Sequence, residues 1–230
     1  MSVRPAEAAR IGGLEPFSAC DWPGKLVAVV FLAGCPWRCG YCHNPQLWRR
    51  RDGKTDWPAL REWLQSRRGL LDGVVFSGGE PLAETALPAL LAEVRALGFA
   101  TGLHSGGAYP ARLAEALPLL DWVGFDVKTE WDGYDALTGV PGSGHAARRS
   151  LELLLESGVA YECRTSIHPH WHNAAALARL ADELAARGVR HYRWQAIRPP
   201  APLPTPWPAG WPGNQQDIGL LFADFAFRQH

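Results

Sequence analysis

Residues 25–42 read KLVAVVFLAGCPWRCGYC. The first half is apolar and β-branched, the composition of a strand buried on both faces. The second half sets Cys35, Cys39 and Cys42 directly after it, spaced C-x3-C-x2-C. A buried strand delivering thiols to its C-terminal end is the arrangement of a parallel α/β protein, in which the loops after the strands build the site.

Outward from this stretch the same alternation repeats. After the cysteine loop, WPALREWLQSRRG reads as a helix with Asp56 as N-cap, Pro58 in its first turn and Gly69 beyond its end. GVVFSGG is a second strand. ETALPALLAEVRALG is a helix, with Leu87, Leu90, Leu91, Val94 and Leu97 at helical spacing. FATGLHS, WVGFDVK, VAYECRTSIH and VRHYRWQAI read as four further strands, separated by the helical segments PARLAEAL, HAARRSLELLLESG and NAAALARLADELAARG. Six strand–helix alternations predict a parallel sheet with helical crossovers, open or partly closed into a barrel. RPPAPLPTPWPAGWPG (198–213) is an extended connector by composition, and DIGLLFADFAFRQH is apolar enough to dock back as a short helix. The expected division is one domain over 1–198, with 199–230 as connector and tail packed on it.

Polar and glycine-rich groups recur at the strand ends: the cysteine loop, then SGGEP, HSGG, DVK, RTS and QAIRP. Their coincidence on one edge marks that edge as the site.

The 230 residues carry no formal net charge, and 47% are hydrophobic. Disorder and a generic nucleic-acid surface are disfavoured. No run reaches the roughly 18 apolar residues of a membrane span, and the N-terminus has no signal-peptide core. The expected location is the cytoplasm, where five cysteines read as metal binding or catalysis rather than disulfides. Two metal readings are open. Zinc would need a fourth ligand from His43, Cys20 or Cys163. An iron–sulfur cluster held by three thiolates would leave one iron without a protein ligand, and so open to a reactant.

The cysteine motif with aromatic Tyr41 before its last thiol, and SGGEP (77–81) at the second strand end, resemble the radical S-adenosylmethionine superfamily. Asp21, Pro23 and Gly24 before the first strand, and His-Asn-Pro after the cysteines, resemble the start of glycyl-radical-enzyme activases. DVK (126–128), YECRTSIHP (161–169) and RWQAIRP (193–199) are similar to the activating proteins of anaerobic ribonucleoside-triphosphate reductase. The resemblance implies a partial (β/α)6 barrel, a [4Fe–4S] cluster on Cys35, Cys39 and Cys42, and S-adenosylmethionine chelating the fourth iron. It implies hydrogen abstraction from a glycine of a partner glycyl-radical enzyme, with flavodoxin or ferredoxin as electron donor.

By the same resemblance Tyr41 lies near the adenine. Ser77, Gly78, Gly79 and Glu80 receive the ammonium group, and Ser105 offers a hydroxyl. Lys128 meets the carboxylate, with Asp126 alternating beside it on one strand face. Arg164 and Gln195 take the matching places on the fifth and sixth strands. Asp21 faces the partner's glycine segment. One departure is the third strand end, where activases often carry Asp-Thr-Asn-Gly and this chain has His104-Ser105-Gly106-Gly107. In related activases that Asp helps hold a monovalent cation, and a neutral histidine does not replace its charge, so the cation site is not carried over. The competing enzyme reading is a radical S-adenosylmethionine enzyme with a small-molecule substrate, such as a deazaguanine-forming synthase.

Overall fold

The computed structural model describes residues 4–50, 53, 55–197, 207–213 and 215–228. Eight strands form one sheet in chain order: β1 (Ile11–Ser18), β2 (Val27–Leu32), β3 (Gly73–Gly78), β4 (Ala100–Ser105), β5 (Trp122–Asp126), β6 (Ala160–Ile167), β7 (His191–Ala196) and β8 (Asp224–Arg228). β1 pairs antiparallel with β2, and every later neighbour is parallel. Among the described residues β1 and β8 do not pair, so the sheet curls without closing.

β2 to β7 are the six strands expected from sequence. The crossovers carry α1 (Trp57–Gln65), α2 (Leu87–Ala96), α3 (Pro110–Ala116), α4 (Tyr134–Thr138), α5 (Ser143–Ser157) and α6 (Ala174–Ala186). The Asp56 side chain accepts from Ala59 N at 2.9 Å and Asn173 from Ala176 N at 2.8 Å, so both predicted N-caps form. α5 stops at Gly158, whose φ of 72° lies in the left-handed region that a glycine enters without penalty.

Two strands differ from the sequence reading. β1, IGGLEPFS, holds two glycines and a proline, a poor strand composition; it forms on the outer edge of β2, where Pro16 costs no ladder bond. In the tail, α7 (Gln215–Leu220) is followed by β8 rather than by more helix, because Phe225 and Phe227 alternate onto the aromatic rings of Trp194 on β7. Most of the proline-rich segment lies outside the described residues. No helix among the described residues is long and apolar enough to cross a membrane.

Period-two alternation divides the sheet's side chains. Val30, Phe76, Leu103, Phe125, Cys163 and Trp194 face outward into one core with the helix leucines. Inward, Trp22, Val27, Val29, Val75 and Trp122 plug the N-terminal end, with the two tryptophans stacked at 5.4 Å. Each buried large apolar side chain contributes roughly 1.5–3 kcal/mol. With that end filled, the concave face opens at the C-terminal strand ends, where the inward positions turn polar: Ser77, His104, Asp126 and Arg164.

Candidate active site

The cavity at this mouth has a volume of about 210 Å³. Cys35, Cys39 and Cys42 form one wall, and Gly78, Gly79, Glu80, Ser105, Asp126 and Lys128 contribute to the facing ones. Tyr41 and Ser77 also line it, whereas Arg164, Gln195 and Asp21 do not. His43, the candidate fourth ligand of the zinc reading, lines it too, and Trp37, Asn44, Trp48, His104 and Ser166 line it without having been singled out as ligand residues from sequence.

The cysteine loop is held by backbone hydrogen bonds, two within residues 34–48 and one to α4. Gly34 N donates to Leu47 O at 2.8 Å, Cys35 N to Trp48 O at 3.1 Å and Arg38 N to Thr138 O at 2.7 Å. Burial, with Glu80 adding to it, pushes the Cys35 thiol up to about 12. Burial also raises Cys39, against the pull of Lys128. Thiols in this setting lose their protons when a strongly Lewis-acidic group binds their sulfur and releases those protons to solvent. Among the described residues no three His, Cys, Asp or Glu side chains converge around a single ion. A four-iron cube takes its thiolates at separate corners, which suits three thiols set along one cavity wall.

SGGE is sewn to this loop. Gly79 N donates to Leu32 O at 3.0 Å and Glu80 N to Gly34 O at 2.8 Å. Gly78 has φ +128°, and a Cβ there would lie 2.2 Å from Leu32 O; a Cβ on Gly79 would lie 2.6 Å from Gly34 O. The two glycines therefore let β2 and β3 approach at the point where both enter the site. Buried Glu80 accepts from Ser105 Oγ (2.8 Å), Gly106 N (3.0 Å) and Leu82 N (3.1 Å). Burial raises its carboxyl while these donors oppose it. Three of roughly four acceptor positions on the carboxylate are occupied, and one remains on Oε2. The Ser105 hydroxyl, expected from sequence to meet a ligand, donates to Glu80 and accepts from Gly107 N at 2.9 Å.

Lys128 is fixed at its backbone. Its N–H donates to Tyr134 Oη at 2.8 Å, and its carbonyl lies 2.9 Å from His172 Nε2. The ammonium sits over the rings of Trp37 (5.6 Å) and Tyr41 (5.9 Å) and makes no carboxylate ion pair among the described residues. Burial alone would lower its pKa, but the surrounding Tyr41, Cys39 and Asp126 groups hold it well above the usual lysine range. A half-buried cation held by π faces alone, opposite three thiols, fits an anionic ligand. Trp171 packs edge-on to Tyr41 at 5.4 Å and closes the aromatic wall.

Asp126 is committed elsewhere. Arg164 Nε donates to its Oδ1 at 3.1 Å and Arg164 Nη2 to Gly124 O at 3.3 Å. Burial opposes ionisation of Asp126, but Arg164 and then Lys128 outweigh it and keep the carboxyl below the usual range. His104, in the place of the expected Asp, is pushed down to about 4 by burial and Arg164. The neutral imidazole donates from Nε2 to Asp21 O at 2.7 Å, tying the Asp21 loop to β4. The unfolded histidine binds a proton below about 6.5 and the folded one only below about 4, so folding stability falls as pH drops through that window. Between pH 7 and 5.5 His104 should account for a loss of about 1–1.5 kcal/mol. Denaturation of wild type and His104→Gln at both pH values checks this; an equal pH-dependent loss in both proteins would refute it.

The Radical SAM superfamily model matches residues 29–184. A Methanocaldococcus jannaschii protein named as a glycyl-radical enzyme activating enzyme is 28% identical over 181 residues, covering 70% of this chain and 69% of its own. The pyruvate formate-lyase-activating enzyme of Clostridium pasteurianum is 36% identical over 142 residues, 56% of this chain and 57% of its own. The chain thus spans somewhat more than half to about two thirds of these relatives. Among solved structures, QueE from Escherichia coli has a TM-score of 0.58 at 17% identity, covering 96% of this chain and 94% of its own. Native anSMEcpe with bound AdoMet has a TM-score of 0.61 at 14% identity, covering 76% and 51%. At these identities the likeness is one of fold, a partial barrel. With the family model spanning most of the strand–helix repeat and both cavity walls, the chain belongs to the radical SAM superfamily, whose cofactors are a [4Fe–4S] cluster and S-adenosylmethionine.

Proposed function

We propose that this chain is a glycyl-radical-enzyme activating enzyme and that its partner is of the anaerobic ribonucleoside-triphosphate reductase type. When bound, the cluster supplies one electron to S-adenosylmethionine, whose C5′–S bond breaks to methionine and a 5′-deoxyadenosyl radical that takes a hydrogen atom from a glycine Cα, leaving 5′-deoxyadenosine and a glycyl radical.

The chain's own groups bind, orient and shield. Cys35, Cys39 and Cys42 hold three irons and leave the fourth for the cofactor. Lys128 takes the carboxylate, and the free acceptor position of Glu80 takes the ammonium beside the Gly78 and Gly79 backbone. Tyr41, fixed by Trp171, lies against the adenine. Trp37 and Tyr134, edge to face at 6.0 Å, exclude water behind the thiols.

The observation that favours a protein substrate is the mouth. β4 reaches α3 through residues 106–109 alone, and β5 is followed within 127–130 by the short turn that leads into α4. Neither connection supplies a lid among the described residues, and the unclosed sheet leaves room for a loop of another protein. The reductase-type partner is favoured by DVK, YECRTSIHP and RWQAIRP.

Electron paramagnetic resonance on an anaerobic mixture tests the proposal. Reduced enzyme, S-adenosylmethionine and reductase should give a long-lived glycyl doublet, absent when the candidate glycine is alanine, with about one 5′-deoxyadenosine per radical. Rapid turnover of a small molecule, with no partner and no protein radical, would overturn it in favour of a small-molecule enzyme.

A further inference from the structure

The cysteine loop carries charge that the cavity chemistry does not use. Residues 34–50 contain Arg38, Arg49 and Arg50 and no Asp or Glu, in a chain of zero formal net charge. All three arginines are exposed. Arg50 has a structural partner: its Nη2 lies 3.5 Å from the fully buried Glu84 carboxylate, which Arg10 also approaches at 3.9 Å. Arg38 Nη1 donates to the carbonyls of Cys35 and Trp37, both at 2.7 Å, and its guanidinium lies 5.3 Å over the Trp48 ring. Neither Arg38 nor Arg49 has a carboxylate ion pair among the described residues. With Pro45, Gln46 and Trp48 they line an open recess of about 380 Å³. Trp48 lines both this recess and the cofactor cavity, and so is a wall common to the two.

We propose that this recess and its arginine rim are the docking face for an acidic one-electron carrier protein. The proposal rests on the radical S-adenosylmethionine reading, in which each cleavage consumes one electron delivered from outside. The carrier is oxidised by one electron, and the sulfonium is reduced by one as its C–S bond breaks. Position favours this face. Arg38 is bonded in sequence to Cys39, and Cys35 N donates to Trp48 O, so a redox group seated in the recess is separated from the thiols by a single indole and the loop backbone. Sign favours it too. Arg38 and Arg49, whose charge no carboxylate among the described residues neutralises, attract an acidic surface, accelerate encounter and fix orientation. A nucleic acid would meet the same charge, but three arginines on a neutral chain do not form the extended basic stripe that nucleic-acid binding draws on.

The test uses anaerobically reconstituted protein titrated with oxidised flavodoxin and, separately, a ferredoxin, at low and high ionic strength. Wild type should bind at least one of them with an affinity that falls as salt rises. Arg49→Glu should weaken that binding about five- to tenfold and flatten its salt dependence. Gln46→Glu, which adds an acid to the recess while keeping every arginine, should weaken it about threefold. Arg68→Glu, exposed at the opposite end of the strands between α1 and β3, should bind as wild type does. Cofactor cleavage driven by dithionite should be the same in wild type and Arg49→Glu, while flavodoxin-driven cleavage at limiting carrier falls with the affinity. Salt-independent binding, no binding of either carrier, or equal affinity for wild type, Arg49→Glu and Gln46→Glu would overturn the docking face. Failure of the wild type to cleave S-adenosylmethionine with dithionite would instead overturn the functional reading, and the titration would still decide the face.

Discussion

Serine in place of Cys35, Cys39 or Cys42, one at a time, is expected to abolish S-adenosylmethionine cleavage. The oxygen of serine is a harder and far less acidic ligand than a thiol, and each substitution removes one of three anchors. Wild type reconstituted without oxygen should hold about four irons and four sulfides, with one iron altered when the cofactor is added. The variants should lose most of that iron. Cys20→Ser and Cys163→Ala serve as controls. Cys20 is exposed near Ser18 and Asp21, away from the cavity. Cys163 is buried on the outer, helix-facing side of β6, so its loss should cost only about 1 kcal/mol of stability and leave cleavage intact. Iron and sulfide analysis with cleavage assays decides the matter. Full loss of activity in Cys20→Ser, or tight zinc with no iron uptake, would mean the ligands are misassigned.

Lys128→Ala should weaken S-adenosylmethionine binding by about ten- to a hundredfold while iron content stays normal. The substitution removes a charge-assisted contact worth roughly 1.5–3 kcal/mol. The competing role, an internal ion pair with Asp126, loses support from the geometry, since Asp126 is engaged by Arg164 at 3.1 Å and the Lys128 ammonium rests on Trp37 and Tyr41. Equilibrium titration is the measurement. Unchanged affinity would assign the lysine to the aromatic wall alone.

What could be read from the chain follows from how local each signal is. Buried parallel strands must be β-branched or aromatic over most of their length, so β2 to β7 announced themselves, and strand-end polarity announced the site. β1 could not be read, because its place comes from the free edge of β2 and not from IGGLEPFS. The tail was expected as helix because its apolar residues crowd together; the strand in it depends on aromatic rings already present on β7. In the site, the thiols and SGGE were legible because each lies in one short segment. The Glu80–Ser105 bond joins segments 25 residues apart. The partners of Lys128 and Tyr41, His172 and Trp171, come from HPHWH after β6. Only its first residue falls within a strand read from sequence, and Trp171 and His172 carry no local signal, since their meeting with the cysteine loop is a product of sheet curvature.

The missing pairing between β1 and β8 has a mechanical consequence. A closed barrel has its radius set by strand number and stagger, and admitting a large guest would mean breaking ladder bonds. An unclosed sheet has no such constraint. Its curvature is the sum of small twists at every strand junction, each adjustable by a few degrees within the roughly 10–35° that strands ordinarily adopt. Such a sheet yields as a leaf spring does, with the strain shared along its length and no single hinge. The walls of the mouth, β2 and β3 near one end and β6 and β7 near the other, can then adjust to a guest without breaking the ladder bonds of the sheet, and the ties that span the mouth, such as Arg38 N to Thr138 O and Tyr41 against Trp171, set how far.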